Sequence, residues 1–210
     1  MDSLSILAMA AAQVQQQELS QSLEFSPNGT YGLNTNQSKF IIRKGEVSDI
    51  PLLRDVERSA GNRYRTVGLD FVAESKYVDP ERLECMADAN HLWVAVEKNG
   101  LIGFICGEEM DGNFHIVEIS VSHEYQGQGI GKGLMTAMLE QITQERSFKS
   151  VTLTTYRSLS WNGPWYSRLG FGEVHPRLLG SAYDLILEIE EARHGFNQQE
   201  RCLMMKDLFY

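Results

Sequence analysis

From Phe40 onward the apolar and polar positions fall into a regular order. FIIRK (40–44) reads as a short strand. Ile50, Leu53, Val56 and Ala60 then recur at helical spacing, with Ser48 as the expected N-cap and Pro51 in the first turn, where a missing N–H costs no hydrogen bond. A second helical stretch is expected between Gly68 and Ala87. LWVAVE (92–97) and LIGFIC (101–106) flank Lys98, Asn99 and Gly100, and Asn-Gly between two apolar runs signals a hairpin. A further turn at Asp111 and Gly112 leads into FHIVEISV (114–121), so this stretch reads as an antiparallel meander.

After HEYQGQGIGKG, Ile130, Leu134, Met138 and Ile142 form one apolar stripe of a helix. VTLTT (151–155) reads as a strand, Asn162 to Leu169 as a short helix closed by Gly170, and RCLMMKDLF as a last strand. Between them Leu178, Ala182, Leu185, Ile186 and Ile189 predict one longer amphipathic helix ended by Gly195. No internal repeat is visible. The expected fold class is α/β (α+β): a mixed, mostly antiparallel central sheet flanked by helices on both faces.

Residues 1–38 break the pattern. They hold Asp2, Glu18 and Glu24 but no basic residue, and five glutamines between Gln13 and Gln21. They read as an N-terminal extension, partly helical from Leu4 to Leu23 and then a disordered or flexible linker, ahead of one domain over 39–210. A partner-binding or dimerising arm, and with it a homodimer, is the alternative use of this segment.

Composition narrows the function. At 210 residues the chain is above the ~150-residue prior for one domain, which suits a single domain with extra elements. Its 28 acidic and 19 basic side chains give a net charge of −9, which argues against nucleic acid and favours approach of a cationic ligand. Cys85, Cys106 and Cys202 form no C-x-x-C pair, so no metal is expected and the thiols read as reduced in a cytoplasmic protein. The apolar start MDSLSILAMAAAQV lacks the basic n-region of a secretion signal, and no run of 18 apolar residues suggests a membrane span.

The glycines at 127, 129, 131 and 133 lie between a strand and a helix, where bare amides at a helix N-terminus suit a phosphate. A dinucleotide G-x-G-x-x-G fails, because Lys132 or Leu134 occupies the third glycine position. A P-loop fails as well: no glycine stands five before Gly131-Lys132, and Gly133 replaces the Ser or Thr that meets magnesium. Q-x-x-G-x-G does fit, as Gln126, Gly129 and Gly131. In EISVSHEYQGQGIGKGLM, the hairpin-rich context before it and PWYSRLGF after it, the sequence resembles the GNAT superfamily of acetyl-CoA-dependent N-acetyltransferases, over roughly Phe40 to Val174 in element order.

The resemblance implies a strand that splays from its neighbour and a slot filled by the pantetheine arm of acetyl-CoA. Main-chain groups of Ile119, Ser120 and Val121 would bond pantetheine. The amides of Gln126, Gly127, Gln128, Gly129, Ile130, Gly131, Lys132 and Gly133 would wrap the pyrophosphate, with Lys132 either a mild contact or solvated. Amide formation needs a neutral amine and a proton for the departing thiolate. By resemblance Tyr166 is the acid, and His115 or Glu118 is the base unless water serves. His115 lies on the same side of an ideal strand as Ile119 and Val121, Glu118 on the opposite side unless a bulge intervenes. Asn162 stands four before Tyr166, where the family pattern has seven, so its cofactor contact departs from the motif. Trp161, Trp165 and Tyr156 read as core or pocket wall; Glu57, Arg58, Asn62 and Arg65 as a solvated helix end near the acceptor. The expected activity is acetyl transfer to the primary amine of a small molecule or amino acid, without metal. The alternatives are a protein or peptide acceptor, and a non-catalytic acyl-CoA-binding regulatory module.

Overall fold

Nine strands line up in one sheet in the computed structural model, which describes residues 23–25, 31–33, 40–74, 77–98 and 100–208. They are β1 (Leu23–Phe25), β2 (Tyr31–Leu33), β3 (Ile41–Lys44), β4 (Leu92–Glu97), β5 (Gly100–Met110), β6 (Asn113–Val121), β7 (Ser150–Tyr156), β8 (Gly172–Val174) and β9 (Arg201–Asp207). The spatial order is β1-β2-β3-β4-β5-β6-β7-β9-β8, and only β6 and β7 run parallel. The expected meander is β4 to β6, with Glu97 opposite Gly100 at its first turn; Asn99 itself lies outside the described residues.

The helices are α1 (Ile50–Arg65), α2 (Asp70–Ala73), α3 (Pro80–Asp88), α4 (Ile130–Glu145), α5 (Gly163–Arg168) and α6 (Ile186–His194). The stripe Ile130, Leu134, Met138 and Ile142 of α4 packs on Ile42, Trp93, Ile105, Phe114 and Ile116 from one face of the sheet. On the other face Ile50, Leu53 and Val56 of α1 and Leu83 and Met86 of α3 cover Leu92, Val94, Phe104 and Cys106. Each fully buried aliphatic side chain in these layers contributes about 1.5–3 kcal/mol. Helices therefore flank both faces.

Three local expectations change. Ser48 does not cap α1: a 3₁₀ turn, Val47–Asp49, precedes the helix. The Asp49 carboxylate accepts the Glu46 N–H at 2.9 Å and two N–H groups of Arg43 at 2.7 and 2.9 Å. The long helix expected from Leu178 begins at Ile186, because Gly180 (φ +131) interrupts the chain between two 3₁₀ turns and leaves Leu178 exposed. Gly195 (φ +72) does end it. In the stretch expected as a linker, β1 and β2 extend the sheet beyond β3; the helix expected from Leu4 to Leu23 falls almost wholly outside the described residues.

One irregularity in the sheet decides which way β6 points its side chains. Gly107 of β5 faces Ile116 of β6 while Cys106 faces Glu118, so Val117 is an extra residue and β6 bulges there. The bulge depends on Gly107. A Cβ at that position would meet the Phe114 ring at 2.5 Å and the His115 carbonyl oxygen at 2.6 Å. Gly107→Ala is accordingly expected to destabilise the fold by about 1–3 kcal/mol in denaturant titration, the cost typical of overpacking. An unchanged midpoint would show that the bulge tolerates a side chain there.

Candidate active site

β6 and β7 part company beyond Ile116. Their parallel register covers Phe114↔Val151, His115↔Thr152 and Ile116↔Leu153 and then stops, although β6 continues to Val121 and β7 to Tyr156. Among the described residues, β6 from Ile119 to Val121 is paired only on its β5 side, through Ile105↔Ile119, Phe104↔Ser120 and Gly103↔Val121. The opposite edge presents main-chain groups to no strand among the described residues, which lets an extended ligand add itself as one. One group on this stretch is already engaged: Gln126 Nε2 donates to the Val121 carbonyl at 3.0 Å.

The glycine segment comes directly after. Gly127 (φ +75) and Gly129 (φ +87) are left-handed, and an added Cβ at either would touch nothing within 4 Å, so conformation rather than crowding demands glycine. The expected run of free amides shortens at both ends. Gln126 N–H donates to the His123 carbonyl at 3.3 Å and Gly133 N–H to the Gly129 carbonyl at 2.9 Å. The six between them, Gly127 through Lys132, make no hydrogen bond among the described residues. Gly133 is a packing glycine, whose Cβ would come 2.8 Å from Ile42 Cδ1. The Gln128 side chain turns to the Glu124 carbonyl, Ile130 is in the core, and Lys132 is exposed at the mouth.

The slot opens into a cavity of about 1490 Å³. Its walls include Glu57 and Tyr64 of α1, Glu118 of β6, Tyr166 of α5 and, from the β8–β9 segment, Ile189, Glu190 and Phe196. The bulge puts Glu118 on the α1 side, with Val117, while Ile119 and Val121 pack on the α4 side. Ser120 Oγ donates to Glu118 Oε1 at 2.8 Å, and the Val78 N–H donates to Glu57 Oε1 at 3.2 Å. Burial raises both carboxyls above the ordinary range, against the Ser120 hydrogen bond and the Arg201 charge that favour ionised Glu118. Glu57 is pushed up to about 8, by burial first and then by the Glu118 charge. The two titrate as a pair that keeps a proton near neutral pH.

His115 is placed differently from expectation. The bulge separates it from the side of Ile119 and Val121. It lies buried in a chain in which His115 Nδ1 bonds Thr152 Oγ1 at 3.0 Å and Thr152 Oγ1 bonds Tyr183 OH at 2.9 Å. Burial lowers its pKa to about 4, so the ring is neutral at pH 7.

Tyr166 is buried, with its phenol raised well above 10 by burial and then by Tyr64 and Glu118, so it stays protonated. Asn162 sets its helix: the Asn162 carbonyl accepts the N–H groups of Trp165 and Tyr166 at 2.8 and 3.0 Å. The Asn162 side chain is engaged inside the protein, Nδ2 donating to Thr155 Oγ1 at 2.9 Å and to Tyr64 OH at 3.3 Å. It therefore positions Tyr64 and Tyr166, and it lines the cavity. Arg201, held by Glu190 at 2.9 Å, completes the wall. Sequence reasoning passed over Tyr64, Glu190 and Arg201. Glu57 had a signal, since it shares a helix stripe with Leu53, Ala60 and Tyr64 and a carboxylate there needs a reason.

An open strand edge leads from bare helix-start amides to a buried carboxylate and phenol, an arrangement that suits acyl transfer. Residues 88–173 match the model of the acetyltransferase (GNAT) domain. The match spans 86 of the 210 residues and supports an acyltransferase. Its fold is shared with the PaiA N-acetyltransferase of Thermoplasma acidophilum, solved with coenzyme A (20% identity, 80% of this chain, 98% of that one, TM-score 0.58). It is shared also with a GNAT-family acetyltransferase of Staphylococcus aureus Mu50 (18%, 81% and 99%, 0.61) and with the ribosomal-protein-S18-alanine N-acetyltransferase of Escherichia coli (14%, 81% and 95%, 0.55). No helix among the described residues is long and apolar enough to cross a membrane.

The depressed His115 pKa has a testable sign. Between pH 6.5 and about 4 the unfolded chain takes a proton that the folded chain refuses, so stability is present above 6.5 and falls with pH through this window. His115→Gln should remove part of that acid destabilisation, which is at most about 3 kcal/mol, in urea titrations from pH 7 to 4. Equal pH slopes for both proteins would show that His115 titrates normally.

Proposed function

We propose that the protein transfers acetyl from acetyl-CoA directly to the primary amine of a small molecule or amino acid. One observation carries this reading: the unpaired β6 edge and the six free amides lie on a cavity into which Glu118 and Tyr166 also face. The edge suits the pantetheine arm and the amides suit the diphosphate. Solved neighbours of the same fold contain coenzyme A, which supports this choice of donor.

The chemistry rests on the two side chains. Glu118, in its carboxylate form, takes a proton from the acceptor ammonium, and a raised pKa brings this base closer to its working pH. The amine nitrogen then attacks the thioester carbonyl, a C–N bond forms and the C–S bond breaks. The phenol of Tyr166 donates to the leaving sulfur. Of the two protons the ammonium loses, one ends on the thiol and one in solvent. Neither Glu57 nor Glu118 has a cationic side chain within salt-bridge distance among the described residues, which supports a cationic acceptor. The β8–β9 segment walls the cavity through Ile186, Ile189 and Phe196, which supports a small acceptor over a polypeptide.

Release of thiol from acetyl-CoA across a panel of amines, amino acids and peptides tests the reading; no release with any acceptor, in a protein that binds acetyl-CoA, would favour the binding module. Glu118→Gln is expected to lower kcat/KM about 10²- to 10⁴-fold and to abolish the rising limb of its pH profile. Glu57→Gln removes a like charge and should move that limb to lower pH. A limb unmoved by either change would assign deprotonation to solvent. Tyr166→Phe should lower kcat by at least about 10-fold, in line with loss of a general acid, and unchanged turnover would remove Tyr166 from the chemistry.

A further inference from the structure

The half-buried Arg63, in the last turn of α1, carries a charge that its surroundings leave uncompensated. Arg43, Arg65, Arg82, Arg157 and Arg201 each hold a carboxylate. Arg63 has none within 4 Å among the described residues; its two partners are neutral. Its Nη1 donates to Gln126 Oε1 at 3.3 Å, and its guanidinium carbon lies 4.4 Å from the centre of the Trp161 ring. The guanidinium is thus oriented by an aromatic face and an amide without being neutralised by either. Of its five N–H donors, one is engaged among the described residues.

What lies next to it is an anion receptor. Gln126, which accepts from Arg63, is the residue that opens the glycine segment, and its Nε2 is fixed on Val121 at the end of the open strand edge. The six unbonded amides begin at the following residue. A planar, pre-oriented guanidinium that lines the same cavity as the free amides matches the oxygens of a phosphate better than a solvated lysine does. We propose that Arg63 is a donor-binding residue: its guanidinium clamps the diphosphate of acetyl-CoA from the α1 side while the amides of Gly127 to Lys132 hold it from the α4 side. This rests on acetyl-CoA being the donor. Because Glu57 and Tyr64 stand on the same helix, the clamp also ties the acceptor wall to an occupied donor slot.

The test compares two donors, acetyl-CoA and S-acetylpantetheine, which share the thioester and the pantetheine arm and differ in the diphosphate and nucleotide. Arg63→Ala should raise KM for acetyl-CoA about 10- to 100-fold, as loss of a charge-assisted hydrogen bond does, with kcat little changed. The loss should be confined to the donor that carries the diphosphate. Arg63→Lys should recover part of it, and calorimetry should show the same weakening for coenzyme A itself. Equal losses on both donors would mean that Arg63 only supports α1, and an unchanged KM for acetyl-CoA would remove it from the site; either overturns the clamp. A wild-type protein that binds no coenzyme A would instead overturn the donor assignment on which the clamp rests.

Discussion

The separation of β6 from β7 after Ile116↔Leu153 is the constraint on which the rest of the site depends. Up to that pair, parallel hydrogen bonds and the buried His115–Thr152–Tyr183 chain lock the two strands together. Beyond it the Val117 bulge turns Glu118 into the cavity and leaves the next residues bonded on one side only. A sheet interior does not leave backbone edges unpaired without a use for them, because each buried unpaired group costs a fraction of the fold's stability. Gly107 makes the bulge sterically possible, and α4 begins where the open edge ends. Slot, helix start and carboxylate are therefore one construction.

Charge is divided along the cavity that results. At the proposed donor end stand six amides with Arg63, Arg168 and Lys132, none of these three in an ion pair among the described residues. Toward the acceptor end stand Glu57 and Glu118, whose mutual repulsion and burial keep a proton on the pair. A chain of net charge −9 can accept a polyanion on these terms because the receptor is local, made of backbone dipoles and a few unneutralised cations. The same acidic excess favours an ammonium at the other end.

Much of this was legible in the sequence where a residue type has only one structural use. Gly127 and Gly129 adopt left-handed φ that other residues resist, so the glycine spacing announced the tight turns that lead into α4. The stripe Ile130 to Ile142 announced α4, and the turn residues between apolar runs announced β4 to β6. What could not be read depends on partners distant in sequence. The side on which Glu118 points is set by Gly107 across the sheet, and the burial of His115 by Tyr183, a residue of the β8–β9 segment that docks onto β7 through Thr152. Helical spacing from Leu178 to Ile189 ran on through Gly180, whose backbone conformation interrupts it. Strand β8 spans Gly172 to Val174, too short to show a period. Arg63 stands among other basic residues near a helix end, and only Trp161 and Gln126, both distant in sequence, set it apart.

The central claim is that the donor's diphosphate is received by the backbone between Gln126 and Gly133. The most direct measurement is a titration of ¹⁵N-labelled protein with coenzyme A, followed by amide proton shifts and exchange rates. The account predicts that Gly127, Gly129 and Gly131 shift strongly and become protected at saturation, while Gly133, already bonded to Gly129, and Gly107, at the bulge, change little. Shifts concentrated elsewhere, with those three glycines unmoved while coenzyme A is bound, would contradict it.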